Sequence, residues 1–183
     1  MSQQSGTSTA TNSPEFQVQQ KKENIADGIA RIITEIIEEN QNIHDDIIKS
    51  TNNLETSQIF MGKKIPSITI LQFLERIIKY SNMEDSTLII ILIFLDRYCE
   101  INQLRLNYMN IHRLILASAL LAIKYNEDDF YSNEFYAKVG GINTPELNLL
   151  EREFLSGIEY TLFVEDNIYD KYQKYLLHYN YLK

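Results

Sequence analysis

The run LIIILIFL at residues 88–95 decides the fold class of this chain, because it places eight apolar residues in succession. Such a run is typical either of a buried strand or of a helix that is apolar on all sides. The sequence continues through DRYC at residues 96–99 without a glycine or a proline, the two residues that most often interrupt a helix. The stretch therefore favours a central helix over about 85–101 that is buried on most of its faces.

The residues that follow extend the helical pattern. Neither glycine nor proline occurs between Pro66 and Gly140, although turns and sheets commonly use both. A second largely apolar helix is predicted over about 107–125. It carries the small residues ASA at 117–119, which let neighbouring helices approach closely. The two apolar helices together indicate an all-α fold.

Five further helices are predicted around these two, because apolar residues recur at intervals of three and four. Their ranges are 24–49, 66–80, 132–138, 144–160 and 165–181. Pro66 is expected in the first turn of its helix, and Thr144 is expected to cap the helix that continues with Pro145. The predicted architecture is one compact all-α bundle of five central helices with an extra helix at each end.

The same pattern divides the chain into four segments. Residues 1–23 contain mostly polar side chains and are predicted to form a disordered tail, because they offer little apolar surface to bury. Residues 24–64 hold the N-terminal helix and a loop, and residues 65–164 hold the five central helices. The C-terminal helix occupies residues 165–183.

The composition excludes several classes of protein. The 183 residues include 17 Lys and Arg against 25 Asp and Glu, a formal net charge of −8, so a nucleic-acid partner is not expected. Cys99 is the only cysteine, which rules out a disulfide within the chain and fits a reducing compartment. No apolar run approaches the roughly 18 residues of a membrane span, and the N-terminus lacks the apolar core of a signal peptide. We expect an intracellular protein without a membrane partner.

Five segments of the chain resemble the cyclin box, in particular that of the phosphate-regulon cyclins, which are called P-type or U-type. They are IPSITILQFLERIIKY (65–80), FLDRY (94–98), NIHRLILASALLAIKY (110–125), YSNEFYAKVGGI (131–142) and ELNLLEREFL (146–155). The combination of YAKVGG with a following ELN is highly specific to this subfamily. The resemblance covers about 100 of the 183 residues, from Pro66 to Val164.

This resemblance implies a cyclin fold with a single cyclin box at 65–164 and a binding subunit rather than an enzyme. Cyclins activate cyclin-dependent, proline-directed Ser/Thr protein kinases by packing against a mobile helix of the kinase small lobe. They hold that helix in the active position, where its glutamate pairs with the ATP-binding lysine. The resemblance therefore implies a protein-kinase partner, no cofactor, no metal, no nucleic acid and no small-molecule substrate.

Two charged residues match the kinase-binding anchors of the family. Lys124 ends the third box helix in AIKY, and Glu151 lies in the fifth in LLERE. In cyclins these residues face each other and bond to backbone groups of the kinase. Four apolar neighbours are expected to share the interface, namely Tyr125, Leu155, Tyr160 and Leu162. An ordinary surface pair is the alternative for the two charged residues, and plain core packing is the alternative for the four neighbours.

The chain departs from the wider cyclin pattern near Asp96. Many cyclins pair this aspartate with an arginine at the start of the first box helix, but the matching residue here is Ser67. Asp96 is therefore expected to cap a backbone group or to pair with Arg97 or another arginine. The segment PSITIL at 66–71 also does not match the docking patch of cell-cycle cyclins, so substrate docking of that type is not expected.

Other chemistries find little support in the sequence. The three histidines form no metal-binding motif, and no constellation supports an enzyme. Ser13 precedes Pro14 and is a minimal phosphorylation site for a proline-directed kinase. The tyrosine stripe of the last helix, Tyr172, Tyr175 and Tyr179, is expected to pack, with a second partner surface as the alternative.

Two other functions remain open. The first is a cyclin fold that acts as a scaffold or structural component and activates no kinase. The second is a cyclin-fold nucleic-acid adaptor, against which the net charge and the single box argue. The compartment is open between cytoplasm, nucleus and cilium.

Overall fold

The structure is a computed structural model that describes residues 14–42 and 58–181. This part of the chain contains helices and no strand, as the all-α prediction requires. A helical segment at 58–60 precedes the box. The complete helices are α1 (Pro14–Asn42), α2 (Ile70–Ser81), α3 (Asp85–Asn102), α4 (Ile111–Asn126), α5 (Asn133–Gly140), α6 (Thr144–Gly157) and α7 (Asp166–Tyr181).

The centre of the molecule is the α3–α4 pair. The prediction of a buried helix over 85–101 is confirmed, because every residue from Thr87 to Leu95 is buried. In α4 the small residues Ala117 and Ala119 are almost fully buried. The buried Ser118 hydroxyl donates a hydrogen bond of 2.8 Å to the Ile91 carbonyl of α3, so this polar group is satisfied inside the core.

Helix α1 begins earlier than predicted and packs along one side of the box. It starts at Pro14 rather than near Asn24, so residues 14–23, predicted to be disordered, are helical. Glutamine, lysine and glutamate dominate that part, and all three are good helix formers that need no burial. The isoleucine face that includes Ile29 and Ile33 is buried, and α1 contacts α2, α3 and α7. Residues 43–49 of the predicted helix lie outside the described residues.

Two helix starts differ from the prediction for local reasons. Pro66 lies before α2, which begins at Ile70 behind a reciprocal cap between Thr69 and Gln72. Asn143 rather than Thr144 caps α6, because its side-chain oxygen accepts the Glu146 N–H at 2.8 Å. In both cases a side chain that satisfies a free N–H of the first turn sets the boundary.

Helices α5 and α6 end at glycine residues. Gly141, with φ of 72°, ends α5 in the left-handed conformation that glycine adopts without strain. Helix α6 ends at Gly157, before the predicted end near Tyr160. Helix α7 then packs against α1 and α3. Among the residues that the structure describes, no helix is long and apolar enough to cross a membrane.

Candidate functional site

The C-terminal turn of α4 and the middle of α6 meet in an ion pair. Lys124 Nζ lies 2.6 Å from Glu151 Oε1, and the two side chains are 28% and 18% exposed. The stretch of α4 from Leu114 to Ile123 is buried and carries no charge, and Lys124 follows it directly. A cation in the last turn is also favoured by the dipole of α4. The two residues face each other, as the resemblance implied.

A side-chain amide holds the other oxygen of this carboxylate. Asn133, the first residue of α5, donates from Nδ2 to Glu151 Oε2 at 2.8 Å. The same Nδ2 donates to Asn148 Oδ1 on α6 at 2.7 Å. Three helices therefore fix Glu151, which leaves its carboxylate little freedom to turn away. An ammonium group has three N–H donors and the ion pair uses one, so Lys124 can also donate to a partner.

The four predicted apolar neighbours divide into two groups. Tyr125 and Tyr160 are exposed, so plain core packing does not account for them. Leu155 and Leu162 are half-buried and pack against the core with part of their surface accessible. Leu155 lies one helical turn after Glu151, and its carbonyl accepts the Tyr160 N–H at 3.0 Å. Leu155 thus lies on the same face of α6 as Glu151, and a backbone hydrogen bond joins Tyr160 to the end of that helix.

The sequence reasoning missed several residues near this site. Asn133 carries no sequence signal, because any polar residue could begin α5. Phe130 and Tyr131 lie exposed in the connection between α4 and α5, and the Tyr131 ring lies 4.3 Å from that of Phe135. Phe163, also exposed, follows α6. Large aromatic residues within an otherwise polar connection are a signal that could have identified Phe130 and Tyr131. Phe163 lies among apolar residues, so the sequence does not set it apart.

Asp96 finds a partner that the sequence did not predict. Its carboxylate accepts a hydrogen bond from the Tyr172 hydroxyl of α7, not from Arg97. Burial and the neighbouring carboxylate raise the pKa of Tyr172 above its ordinary value, so the phenol stays protonated and donates. Arg97 instead donates to the carbonyls of Thr161 and Phe163.

The tyrosine stripe of α7 mostly packs. Tyr172 and Tyr179 are half-buried, and the Arg31 guanidinium lies 5.4 Å from the centre of the Tyr179 ring. Tyr175 is exposed. The prediction of packing therefore holds for two of the three tyrosines. Ser13, the predicted phosphorylation site, lies outside the described residues.

Possible metal ligands and the single cysteine were compared with what catalysis would require of them. Within residues 14–42 and 58–181, no group of three or more His, Cys, Asp or Glu residues could hold a metal ion. Burial raises the pKa of the Cys99 thiol to about 12, so it is protonated and a poor nucleophile at neutral pH. The site around Lys124 and Glu151 can bind a partner through hydrogen bonds and apolar contacts.

Comparison with known proteins gives a consistent match. The family model described as Cyclin matches residues 6–162. This match begins before the predicted box and includes α1. Cyclin-U4-1 of Arabidopsis thaliana is 42% identical over 119 residues, which are 64% of this chain and 59% of the relative.

Two further relatives extend the comparison. Cyclin-U4-3 of Arabidopsis thaliana is 35% identical over 162 residues, which are 86% of this chain and 74% of the relative. Cyclin-P3-1 of Oryza sativa subsp. japonica is 34% identical over 129 residues, covering 70% of this chain and 55% of the relative. The chain thus spans between about half and three quarters of the length of these relatives.

Proposed function

The chain belongs to the cyclin family, in the P/U-type branch, and from this premise we propose that it binds and activates a cyclin-dependent, proline-directed Ser/Thr protein kinase. A cyclin has a regulatory role, and activation of a kinase is the specific form of that role that the geometry supports best. We further propose that it acts inside the cell, in the cytoplasm, the nucleus or a cilium, because its proposed partner is an intracellular kinase.

The proposed mechanism is a shift between two conformations of the kinase. A kinase small-lobe helix that swings outward separates its glutamate from the ATP-binding lysine. A cyclin that binds only the inward position stabilises the active state. Moving such an equilibrium from 1:99 to 99:1 needs about 5.5 kcal/mol of differential binding. An interface with an apolar centre and a few charge-assisted hydrogen bonds can supply this free energy.

One observation carries this proposal: a three-helix hydrogen-bond cluster lies next to exposed aromatic side chains. Lys124, Glu151 and Asn133 are already arranged before a partner arrives, so binding orders few side chains. Tyr125 and Tyr160 offer large surfaces that the fold leaves uncovered. Tyrosines beside a fixed charged pair are typical of the energetically dominant part of a protein interface.

The experiment reverses both charges of the pair. The tagged chain is purified from its own cells, and the complex is assayed for proline-directed kinase activity. The test variant combines Lys124→Glu with Glu151→Lys, which keeps an ion pair between α4 and α6 but inverts what a partner meets. The matched control combines Arg113→Glu with Glu146→Arg, because that pair joins the same two helices at 2.5 Å.

We expect kinase and activity to co-purify with the unmodified chain and with the control, and to be lost with the test variant. A stable partner that is no kinase, retained by the test variant, would contradict the proposal. That outcome would support the alternative, a cyclin fold used as a scaffold. The prediction of Ser13 as a phosphorylation site is checked in the same preparation by mass spectrometry of the tail.

A further inference from the structure

The connection between α6 and α7, residues 158–165, has an unusual backbone conformation; we refer to it as the 158–165 segment. Glu159 and Tyr160 both have positive φ, at 53° and 58°. The left-handed conformation costs free energy for any residue that has a Cβ, and two such residues in succession are rare. Neither is glycine, so the surrounding structure must hold this backbone in place.

Arg97 of α3 is one of the residues that hold this backbone in place. The Arg97 guanidinium donates to the carbonyl of Thr161 and, at 3.3 Å, to the carbonyl of Phe163. The central carbon of this guanidinium, Cζ, lies 5.8 Å from the centre of the Phe94 ring, so the group also contacts the core side. A planar group with several N–H donors is well suited to bind two carbonyls at once. Arg97 thus fixes the path of the chain immediately after the two left-handed residues.

The start of the segment is fixed by close packing. A Cβ at Gly157 would lie 2.2 Å from the Tyr98 ring, so only glycine lets α6 end this close to α3. Asn102 Nδ2 donates to the Gly157 carbonyl at 2.9 Å and to the Tyr98 carbonyl at 2.8 Å. The segment is therefore anchored to α3 on both sides of Glu159 and Tyr160.

This anchored backbone presents two aromatic side chains to solvent. Tyr160 and Phe163 are each 68% exposed, whereas Leu162 and Val164 pack against the core. Exposing a phenylalanine has a cost in solvation, and packing within the chain does not explain why one stands here. A large apolar side chain on a backbone that is already fixed loses little conformational entropy on binding.

We propose that Phe163 is a further contact residue for the kinase and that Arg97 is the positioning residue that holds Tyr160 and Phe163 toward it. This inference rests on the proposed function. The 158–165 segment continues the proposed interface, because the Tyr160 N–H bonds to Leu155, one turn beyond Glu151. The occupant is therefore an apolar patch of the same kinase small lobe.

The test measures the affinity of the co-purifying kinase for variants of the full chain, together with the unfolding midpoint of each. Phe163→Ala should weaken binding by about tenfold to thirtyfold and leave the unfolding midpoint unchanged, since the side chain is exposed. The matched control is Tyr175→Ala, which removes an exposed aromatic residue of α7 and should leave affinity unchanged.

The role of Arg97 needs a second variant. Arg97→Met keeps the aliphatic stem but removes the donors, and it should weaken binding by about tenfold. Adding Glu159→Gly should restore at least half of that loss on a logarithmic scale, because glycine adopts the left-handed conformation without the Arg97 contacts. Glu159 lies two residues before Thr161, whose carbonyl Arg97 binds, so rescue would show that Arg97 affects affinity through the backbone of the 158–165 segment. An arginine that contacted the kinase directly would not be rescued by this glycine.

The outcomes separate the two proposals. If Phe163→Ala binds as tightly as the unmodified chain while the Lys124→Glu, Glu151→Lys variant does not bind, the inference is wrong and the proposed function stands. If Arg97→Met is not rescued by Glu159→Gly, the positioning role is wrong. If no kinase binds the unmodified chain, the proposed function fails and this inference fails with it.

Discussion

Two ion pairs join α4 to α6, and they differ in their surroundings rather than in their own geometry. Arg113 and Glu146 lie 2.5 Å apart with side chains 24% and 29% exposed, and Lys124 and Glu151 lie 2.6 Å apart with side chains 28% and 18% exposed. By distance and burial the two pairs would be assigned the same role.

Their environments separate them. Glu146 lies in the first turn of α6, where the helix dipole favours a carboxylate, so stabilisation of the fold is a sufficient account of that pair. Glu151 lies mid-helix, where no such effect operates, and Asn133 holds its second oxygen. Exposed tyrosines flank only this second pair along the chain, at Tyr125 and Tyr160. Between two pairs of nearly equal length, the neighbouring residues rather than the pair itself distinguish the candidate binding site.

Reversing the charges of each pair should have the strongest effects. Each single reversal, Lys124→Glu or Arg113→Glu, places two carboxylates together and should lower the free energy of unfolding by about 1–2 kcal/mol. Completing the swap with Glu151→Lys or Glu146→Arg should restore the ion-pair part of that stability in both cases. The helix dipole disfavours a carboxylate in the last turn of α4 and a cation in the first turn of α6, so neither protein should regain all of it. Kinase affinity should fall at least about a hundredfold in the Lys124→Glu, Glu151→Lys protein, because truncating or inverting a central anchor typically has effects of this size.

Urea unfolding and a binding titration measure the two quantities on the same preparations. Equal loss of affinity at both pairs would show that the difference in surroundings has no functional meaning. Full recovery of affinity in the Lys124→Glu, Glu151→Lys protein would mean that the pair serves only the fold.

A smaller effect is expected from the amide that distinguishes the two pairs. Asn133→Ala removes the donor to Glu151 Oε2 and should weaken kinase affinity by about fivefold to tenfold, since the carboxylate gains freedom. Asn148→Ala removes the second acceptor of the same amide but leaves its bond to Glu151, so its effect on affinity should be under about threefold. Titrating both variants against the kinase tests whether Asn133→Ala weakens affinity more than Asn148→Ala does. The larger loss would belong to Asn148→Ala if Asn148 were the contact residue.

A weak dependence of stability on pH is expected from the histidine next to Arg113. His112 lies beside Arg113, and its Nε2 lies 3.0 Å from the Ile68 carbonyl, to which it donates when protonated there. Burial lowers the pKa of His112 below its ordinary value of about 6.5, although hydrogen bonds to backbone groups oppose this effect. Below about pH 6.5 the unfolded chain therefore binds more protons than the folded one, so stability should fall as the pH falls through this value.

His112→Gln serves as the matched variant, because glutamine keeps a donor for the Ile68 carbonyl but does not titrate. Its free energy of unfolding should depend less on pH between about 6.5 and 5. Kinase affinity should have the same pH dependence in both proteins, since His112 lies at the opposite end of α4 from Lys124. An equal pH dependence of unfolding in the two proteins would exclude His112 as the cause.

The sequence predicted the parts of the molecule that burial dictates. The eight apolar residues at 88–95 and the small residues of α4 predict a pair of buried helices, and the structure contains this pair. The start of α1 could not be predicted in the same way. Its first turns carry polar residues that suit a solvated helix and a disordered tail equally well.

The charged residues of the candidate site could be predicted from the sequence, but the residues that hold them in place could not. The resemblance placed Lys124 and Glu151 opposite each other, and they are. The hydrogen bonds of Asn133 and Arg97 depend on the positions of single side-chain atoms, which no spacing in the sequence encodes. The left-handed backbone at Glu159 and Tyr160 could not be predicted from the sequence either, because glycine is the residue that normally indicates this conformation.

The contact between α1 and α7 has a consequence for anyone who handles this protein. Leu176 of α7 is buried, and α7 lies against α1 and α3. A chain cut after Val164 would keep every residue of the proposed kinase contact but would uncover the parts of α1 and α3 that α7 covers. Such a fragment should form aggregates at concentrations at which the full chain stays dispersed. We therefore expect α7 to keep the box dispersed in solution, apart from any part in recognition.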